Sequence, residues 1–202
     1  FKLWEFSLNH SNTFLSERFP VYQRRNYVLD LNPSYEILHS GYRENVQRNI
    51  KKSIQYGNQV TPNVDVDDII ELSKAQAKEV PEKDFQNFRD LHHTLRNKNA
   101  VKTYGVFSKN GELLASCVFS FSHNRAYYIL VGNHPNGRTL GASHTLIDAF
   151  IKDHAGQNLV LDFEGSDIRN LAFFYSSFGA KEEIFPAIKV NRLPWYIKWL
   201  KN

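Results

Sequence analysis

Methionine is absent from the 202 residues, and cysteine occurs once, at Cys117. One cysteine excludes an internal disulfide framework and fits a reducing compartment, so a cytoplasmic protein is expected. No apolar run is long enough to cross a bilayer, and no signal peptide is visible at Phe1. Internal repeats and low-complexity linkers are missing. So are an HExxH metal motif and an RRM or KH signature, and no metal is expected. His92-His93 does not rescue a metal site, because adjacent helical residues point in different directions. The chain opens on Phe1 rather than methionine, from which we expect upstream residues to be missing.

What is present is a globular composition. Hydrophobic residues make up 42% and aromatic residues 14%, with 15 Phe and 10 Tyr. That is apolar surface for a substantial core. A formal net charge of +4 suits an anionic small ligand as well as it suits RNA.

One stretch organises the rest. Tyr127 to Val131 is an apolar β-type run, Gly132 to Gly137 a turn-rich loop, and a helical pattern follows with Leu140, Ala142, Thr145, Leu146, Ala149 and Phe150 on one face. The first amides of a helix lack partners, and the helix dipole adds positive potential there. Val131, Gly132, Asn136, Gly137, Arg138, Gly141, Ala142 and Ser143 therefore form a candidate anion-binding corner. Gly137 and Gly141 are expected to let the backbone approach a ligand, and Arg138 adds a fork of donors. An ordinary strand–turn–helix corner has the same pattern.

Elsewhere, Phe1, Leu3, Trp4 and Phe6 read as a short strand, and the segment through Arg18 as loop. Arg24 to Leu31 reads as a strand, followed by a helix with Asn32 as cap and Pro33 at its first position. Tyr42 to Tyr56 reads as a helix with Tyr42, Val46, Ile50 and Ile54 at strict i+4 spacing on an apolar side, Gly57 as C-cap, and Arg43, Arg48, Lys51 and Lys52 on the other side. That basic face is either solvated or a phosphate contact; Arg48 and Lys52 are the candidate substrate-binding residues. Asn58 to Val64 reads as a strand, and Asp65 to Lys78 and Lys83 to Arg96 as helices. Ala100 to Ser108 and Leu113 to Ser122 then form a hairpin through Asn110-Gly111. Ala115, Cys117, Phe119 and Phe121 share one face of the second strand, with Cys117 a core residue. A short turn at His123-Asn124 follows. Leu159 to Phe163 reads as a buried strand, Asp167 to Phe178 as a helix capped by Gly179, Ile184 to Val190 as a last strand, and Pro194 to Lys201 as a short aromatic helix. Asp162 and Glu164 lie on one face of a strand end, where either could take a proton from an attacking amine through water. Each also reads as a loop or capping residue.

From Asn58 onward the element order resembles the GNAT fold of N-acyltransferases. Arg138-Thr139-Leu140-Gly141-Ala142-Ser143 matches the Arg and first Gly of that family's Q/R-x-x-G-x-G/A phosphate loop, with Ser143 departing at the last position. Tyr175 and Gly179 keep the spacing of the family's tyrosine and helix-ending glycine. The family's usual upstream Asn is absent. A narrower resemblance runs from about Arg24 to Val190. Arg48-Asn49-Ile50-Lys51-Lys52 and Asp162-Phe163-Glu164-Gly165-Ser166 are similar to segments of Fem-type (FemABX-like) peptidoglycan aminoacyltransferases and related bacterial acyltransferases.

The resemblance implies an α/β GNAT-like fold with a mixed, largely antiparallel sheet flanked by helices. Residues 57–202 would form the acyltransferase domain, and residues 1–56 an extension or the remnant of a preceding half. It implies an acyl group moving from acetyl-CoA or another acyl-CoA to a small-molecule or peptide-like amine acceptor, with Tyr175 protonating the departing thiolate. Tyr175 also reads as an amphipathic core tyrosine. The rival functions are Fem-type transfer from aminoacyl-tRNA to a cell-wall precursor, and a non-catalytic binding module.

Overall fold

The alternating segments pair into one mixed sheet. The computed structural model describes residues 2–12, 19–165 and 167–198. Phe1, the end of the expected N-terminal loop (13–18), Ser166, the last positions of the expected C-terminal helix (199–201) and Asn202 lie outside the described residues. The strands are β1 (Leu3–Ser7), β2 (Val21–Asp30), β3 (Gln59–Pro62), β4 (Val101–Phe107), β5 (Leu113–Ser122), β6 (Arg125–Asn133), β7 (Val160–Asp162) and β8 (Lys181–Asn191). Their order is β1-β8-β2-β7-β6-β5-β4-β3. Every neighbouring pair is antiparallel except β6 with β7. β2 lies between β7 and β8, so the pairing crosses the boundary expected at 56/57.

The helices are α1 (Tyr35–Ser40), α2 (Glu44–Gln55), α3 (Val66–Lys74), α4 (Glu82–Asn97), α5 (Pro135–Thr139), α6 (Ala142–His154), α7 (Arg169–Ser176) and α8 (Trp195–Lys198). They cover both faces, which is why β5 is buried on each. Cys117 and Phe119 join the large core with Val46 and Ile50 of α2, Phe150 of α6 and Tyr175 of α7. Val118 faces the other way, into a smaller cluster with Val64 and Ile69. Phe119 stacks on Phe150 at 3.7 Å between ring centroids, and Tyr104 meets both rings edge-on at 5.7 Å. Burying each such ring contributes about 1.5–3 kcal/mol.

The turns follow their residues. Gly111 has φ +82°, and His123 and Asn124 have φ +50° and +57°, the left-handed pair that a two-residue hairpin needs. Asp65 caps α3 by accepting from the Asp67 amide at 2.8 Å.

Several expectations shift. The first helix starts at Tyr35 with Ser34 as its cap, not at Pro33. The Gly156 amide bonds the carbonyls of Leu31 and Pro33 and holds that stretch outside the helix. Ile54 is 62% exposed. Strict i+4 spacing drifts by roughly 40° per step on a helix of 3.6 residues per turn, so buried Ser53 takes the inner position instead. The helix begun at Asp65 stops at Lys74 rather than Lys78. The helix expected from Asp167 begins at Arg169, because the Asp167 carboxylate bonds the Arg24 side chain and the Arg25 amide.

Candidate active site

The sheet opens between its two parallel strands. β6 and β7 pair only through Arg125↔Val160, Ala126↔Leu161 and Tyr127↔Asp162. β7 stops there, and the Phe163 amide turns to the Tyr27 carbonyl on the other side. β6 continues to Asn133 and is bent on the way. Cys117 faces Val131 and Val118 faces Ile129, so Leu130 is an extra residue with φ +39°. A β-bulge of this kind re-aims the strand. The divergence leaves a cavity of about 420 Å³ with Tyr128, Val131, Asn133, Gly137, Arg138, Ser143, His144 and Tyr175 on its walls.

The candidate anion corner reaches this cavity through Val131, Gly137, Arg138 and Ser143. Gly141 takes φ +73° and begins α6. The amides of His144 and Thr145 fold back onto the Gly141 carbonyl. Those of Gly141, Ala142 and Ser143 have no acceptor among the described residues. They stand at the positive end of a 13-residue helix. Arg138 is exposed, and its guanidinium donates to the Gln76 side-chain oxygen at 3.1 Å. Gln76 in turn donates to the Asn133 carbonyl at 3.0 Å. Ser143 donates its hydroxyl to the Asn133 side chain at 2.5 Å, tying the start of α6 to the end of β6.

The glycines of this corner also serve the protein's own packing. A Cβ on Gly137 would overlap the Leu114 carbonyl, and one on Gly141 the Asn49 carbonyl. Gly132 is pressed under Leu72 of α3, where a Cβ would come within 2.9 Å. Gly132 and Asn136 do not line the cavity; Asn136 lies exposed on α5. Ala142 buries its methyl in the core and offers only its amide.

Tyr175 closes the inner end of the cavity. Its ring stacks on Phe163 at 4.6 Å and meets Tyr128 edge-on at 6.4 Å. Its hydroxyl has no hydrogen-bond partner among the described residues, and burial raises its pKa above the usual phenol value. The hydroxyl is therefore protonated at neutral pH and unspent. Tyr128, which the sequence did not single out, is a second buried hydroxyl on the same wall. His144 is another polar side chain on this wall that the sequence did not single out. Both belong to ordinary periodic patterns, so nothing in their spacing marks them.

Asp162 and Glu164 are not brought to this cavity. They line a second one, of about 690 Å³, together with Asn26, Arg125, Tyr127 and Glu183. Phe163 faces the Tyr175 side, and strand alternation turns its two neighbours to the opposite face of the sheet. Asp162 is buried and its oxygens are taken. It accepts from Arg125 at 2.7 Å, from the Asn26 side chain at 2.9 Å and from the Glu164 amide at 2.8 Å. Arg125 also bridges to Glu183 at 2.7 Å. That network is structural in character. Glu164 differs: its carboxyl has no partner among the described residues. Desolvation, and then the Asp162 charge, raise its pKa above the usual carboxylate value. Its backbone sits at φ +61°.

Arg48 is exposed and Lys52 half-buried on α2, and neither makes an ion pair among the described residues. Their helix packs on α6, with Asn49 against Gly141, and neither Arg48 nor Lys52 lines the cavity. Cys117 is buried, and burial pushes its thiol well up, which leaves it inert as a nucleophile. Among the described residues no His, Cys, Asp and Glu group is arranged to hold a metal. No described helix is long and apolar enough to cross a membrane.

Residues 40–168 match the family model described as an acetyltransferase (GNAT) domain. No curated protein matches the chain. Among solved structures, FemX superposes with a TM-score of 0.65 at 11% identity, covering 85% of this chain and 63% of FemX. A tandem GNAT protein from the clavulanic acid biosynthesis pathway gives 0.56 at 12% identity, covering 88% of this chain and 55% of that protein. L-PGS from Bacillus licheniformis gives 0.56 at 7% identity, covering 90% and 65%. This chain therefore spans less than two thirds of each.

Proposed function

Because the chain belongs to the acetyltransferase (GNAT) domain family, we propose that it transfers an acyl group from an acyl-CoA-type donor to an amine. The observation that carries this reading is the row of unpaired amides at Gly141, Ala142 and Ser143, opening onto a cavity whose far end holds the free Tyr175 hydroxyl. A diphosphate needs amides and a cation, which the helix start and Arg138 supply. The unpaired edge of β6 beyond Tyr127 offers backbone groups to an extended arm.

In this reading the acceptor approaches from the second cavity. The amine nitrogen attacks the acyl carbon, forming the C–N bond. Its proton passes to the Glu164 carboxylate, directly or through water. The C–S bond breaks, and the thiolate takes the proton of the Tyr175 hydroxyl. Asp162 holds Arg125 and the Glu164 backbone in place. Donor and acceptor are thus given opposite faces of one sheet and meet where β6 and β7 part. Isothermal titration with CoA, followed by assay of acyl-CoA consumption with a panel of amines, tests the reading. Binding without turnover would favour a non-catalytic module, and no binding would sink the donor assignment.

A second reading keeps the fold and changes the donor to aminoacyl-tRNA. The fold likeness to FemX and the exposed cations of α2 favour it. Filter binding of charged tRNA at two salt concentrations separates the two. Replacing Arg48 and Lys52 with Gln should flatten the salt dependence only if α2 meets phosphates.

A further inference from the structure

His144 stands on the wall of the donor cavity, and the reaction above leaves it unused. It is in the first turn of α6, directly after Ser143. Its ring packs edge-on against Phe174 at 4.9 Å and lies tilted against Phe178 at 6.0 Å. Neither ring nitrogen has a hydrogen-bond partner among the described residues. A neutral imidazole carries one donor and one acceptor, and leaving them unmatched in a sheltered place is costly. The ring lines the same cavity as Arg138 and Ser143, the residue that carries the last of the unpaired amides.

We infer that His144 is a ligand for the donor's diphosphate and takes up a proton as that anion arrives. The inference rests on the acyl-CoA reading. An anion at the start of α6 supplies what the ring lacks: an acceptor for N–H, and a negative charge that favours the imidazolium. Without ligand, desolvation alone pushes His144 down to about 4, so the ring is neutral near pH 7. The other titratable or charged groups on the described cavity wall are Tyr128, Tyr175 and Arg138. Burial keeps both tyrosines protonated, and the guanidinium keeps its charge. Asp148, one turn along α6, is turned to Tyr35, whose hydroxyl it accepts at 2.9 Å. His144 is thus the group on this wall that can change charge between about pH 6 and pH 7.5.

The probe is dephospho-CoA, whose diphosphate diester does not titrate in this range. Calorimetric titration is run at about pH 6 and about pH 7.5, each in two buffers of different ionisation heat. The parent should bind about three- to tenfold tighter at the lower pH, with proton uptake approaching one per ligand. His144→Gln and His144→Asn, checked by thermal melting, should lose both the slope and the uptake. An unchanged slope in a folded variant overturns the inference and leaves the donor reading standing. So does binding by the parent without proton uptake, a result that needs no variant. If the parent fails to bind at either pH, the donor reading falls and His144 with it.

Discussion

Gly141 is in contact with Asn49: the start of α6 rests on the carbonyl of an α2 residue with no room for a methyl group between them. Gly141 also has φ +73°, which an L side chain adopts at a cost of about 1–2 kcal/mol. Gly141→Ala should therefore destabilise the fold by about 2–4 kcal/mol, strain and overlap together. Urea unfolding measures it. A loss of donor binding in this variant would follow from the displaced helix and would not by itself locate a phosphate. Parent-like stability would mean that α2 and α6 are not packed as described.

Tyr175→Phe separates enzyme from binding module. Among the described residues the hydroxyl has no hydrogen-bond partner, while the ring is packed on Phe163. Melting temperature and CoA affinity should stay close to the parent, and turnover should fall by about 10²–10⁴-fold. Full turnover would remove Tyr175 as the acid. A large drop in melting temperature would show that the hydroxyl supports the fold.

Glu164 should write itself into the pH profile. A base works when deprotonated, and its pKa is raised by desolvation and by Asp162. Activity should accordingly increase as pH climbs through that raised value and then level off. Glu164→Gln should abolish this limb and lower kcat/KM by about 10²–10⁴-fold. An unaltered limb would assign it to another group.

Asp162→Asn should act on stability. It leaves Arg125 with Glu183 as its carboxylate partner and removes a charged acceptor from a site where the aspartate side chain is 6% exposed. The expected cost is about 2 kcal/mol, below that of a wholly unpaired buried ion because Glu183 remains. Equilibrium unfolding reads it. Undiminished stability would make the network ornamental, and Asp162 would again be available for chemistry.

The fold was readable in the sequence wherever periodicity and turn residues agree. Asn110-Gly111 makes its hairpin, Asp65 caps its helix, and Cys117 sits in the core between Phe119 and Ala115. The Arg138 to Ser143 corner was visible because the glycine at a helix start is a local signal. Its physical meaning was not: the partners of Gly137 and Gly141 are Leu114 and Asn49, both remote in sequence. The partners of Asp162 were likewise out of sight, since Arg125 and Asn26 reach it from other strands. Tyr128 and His144 were hidden because a side chain facing a cavity and one facing the core have the same periodicity. The place where β6 leaves β7 depends on an extra residue at Leu130, and no local pattern announces it.

The position of β2 has a consequence for how the molecule is made. Its two neighbours are β7 and β8, while β1 is bound through β8 alone. As the chain leaves the ribosome, β2 emerges early and must remain without a partner while all of 31–159 is synthesised. For that interval both its edges offer free amides and carbonyls to any passing strand. Closing so long a loop is slow, which makes docking of β2 the expected late step of folding. A gene trimmed to residues 57–202 would remove an interior rib of the sheet, with β8 left beside a gap.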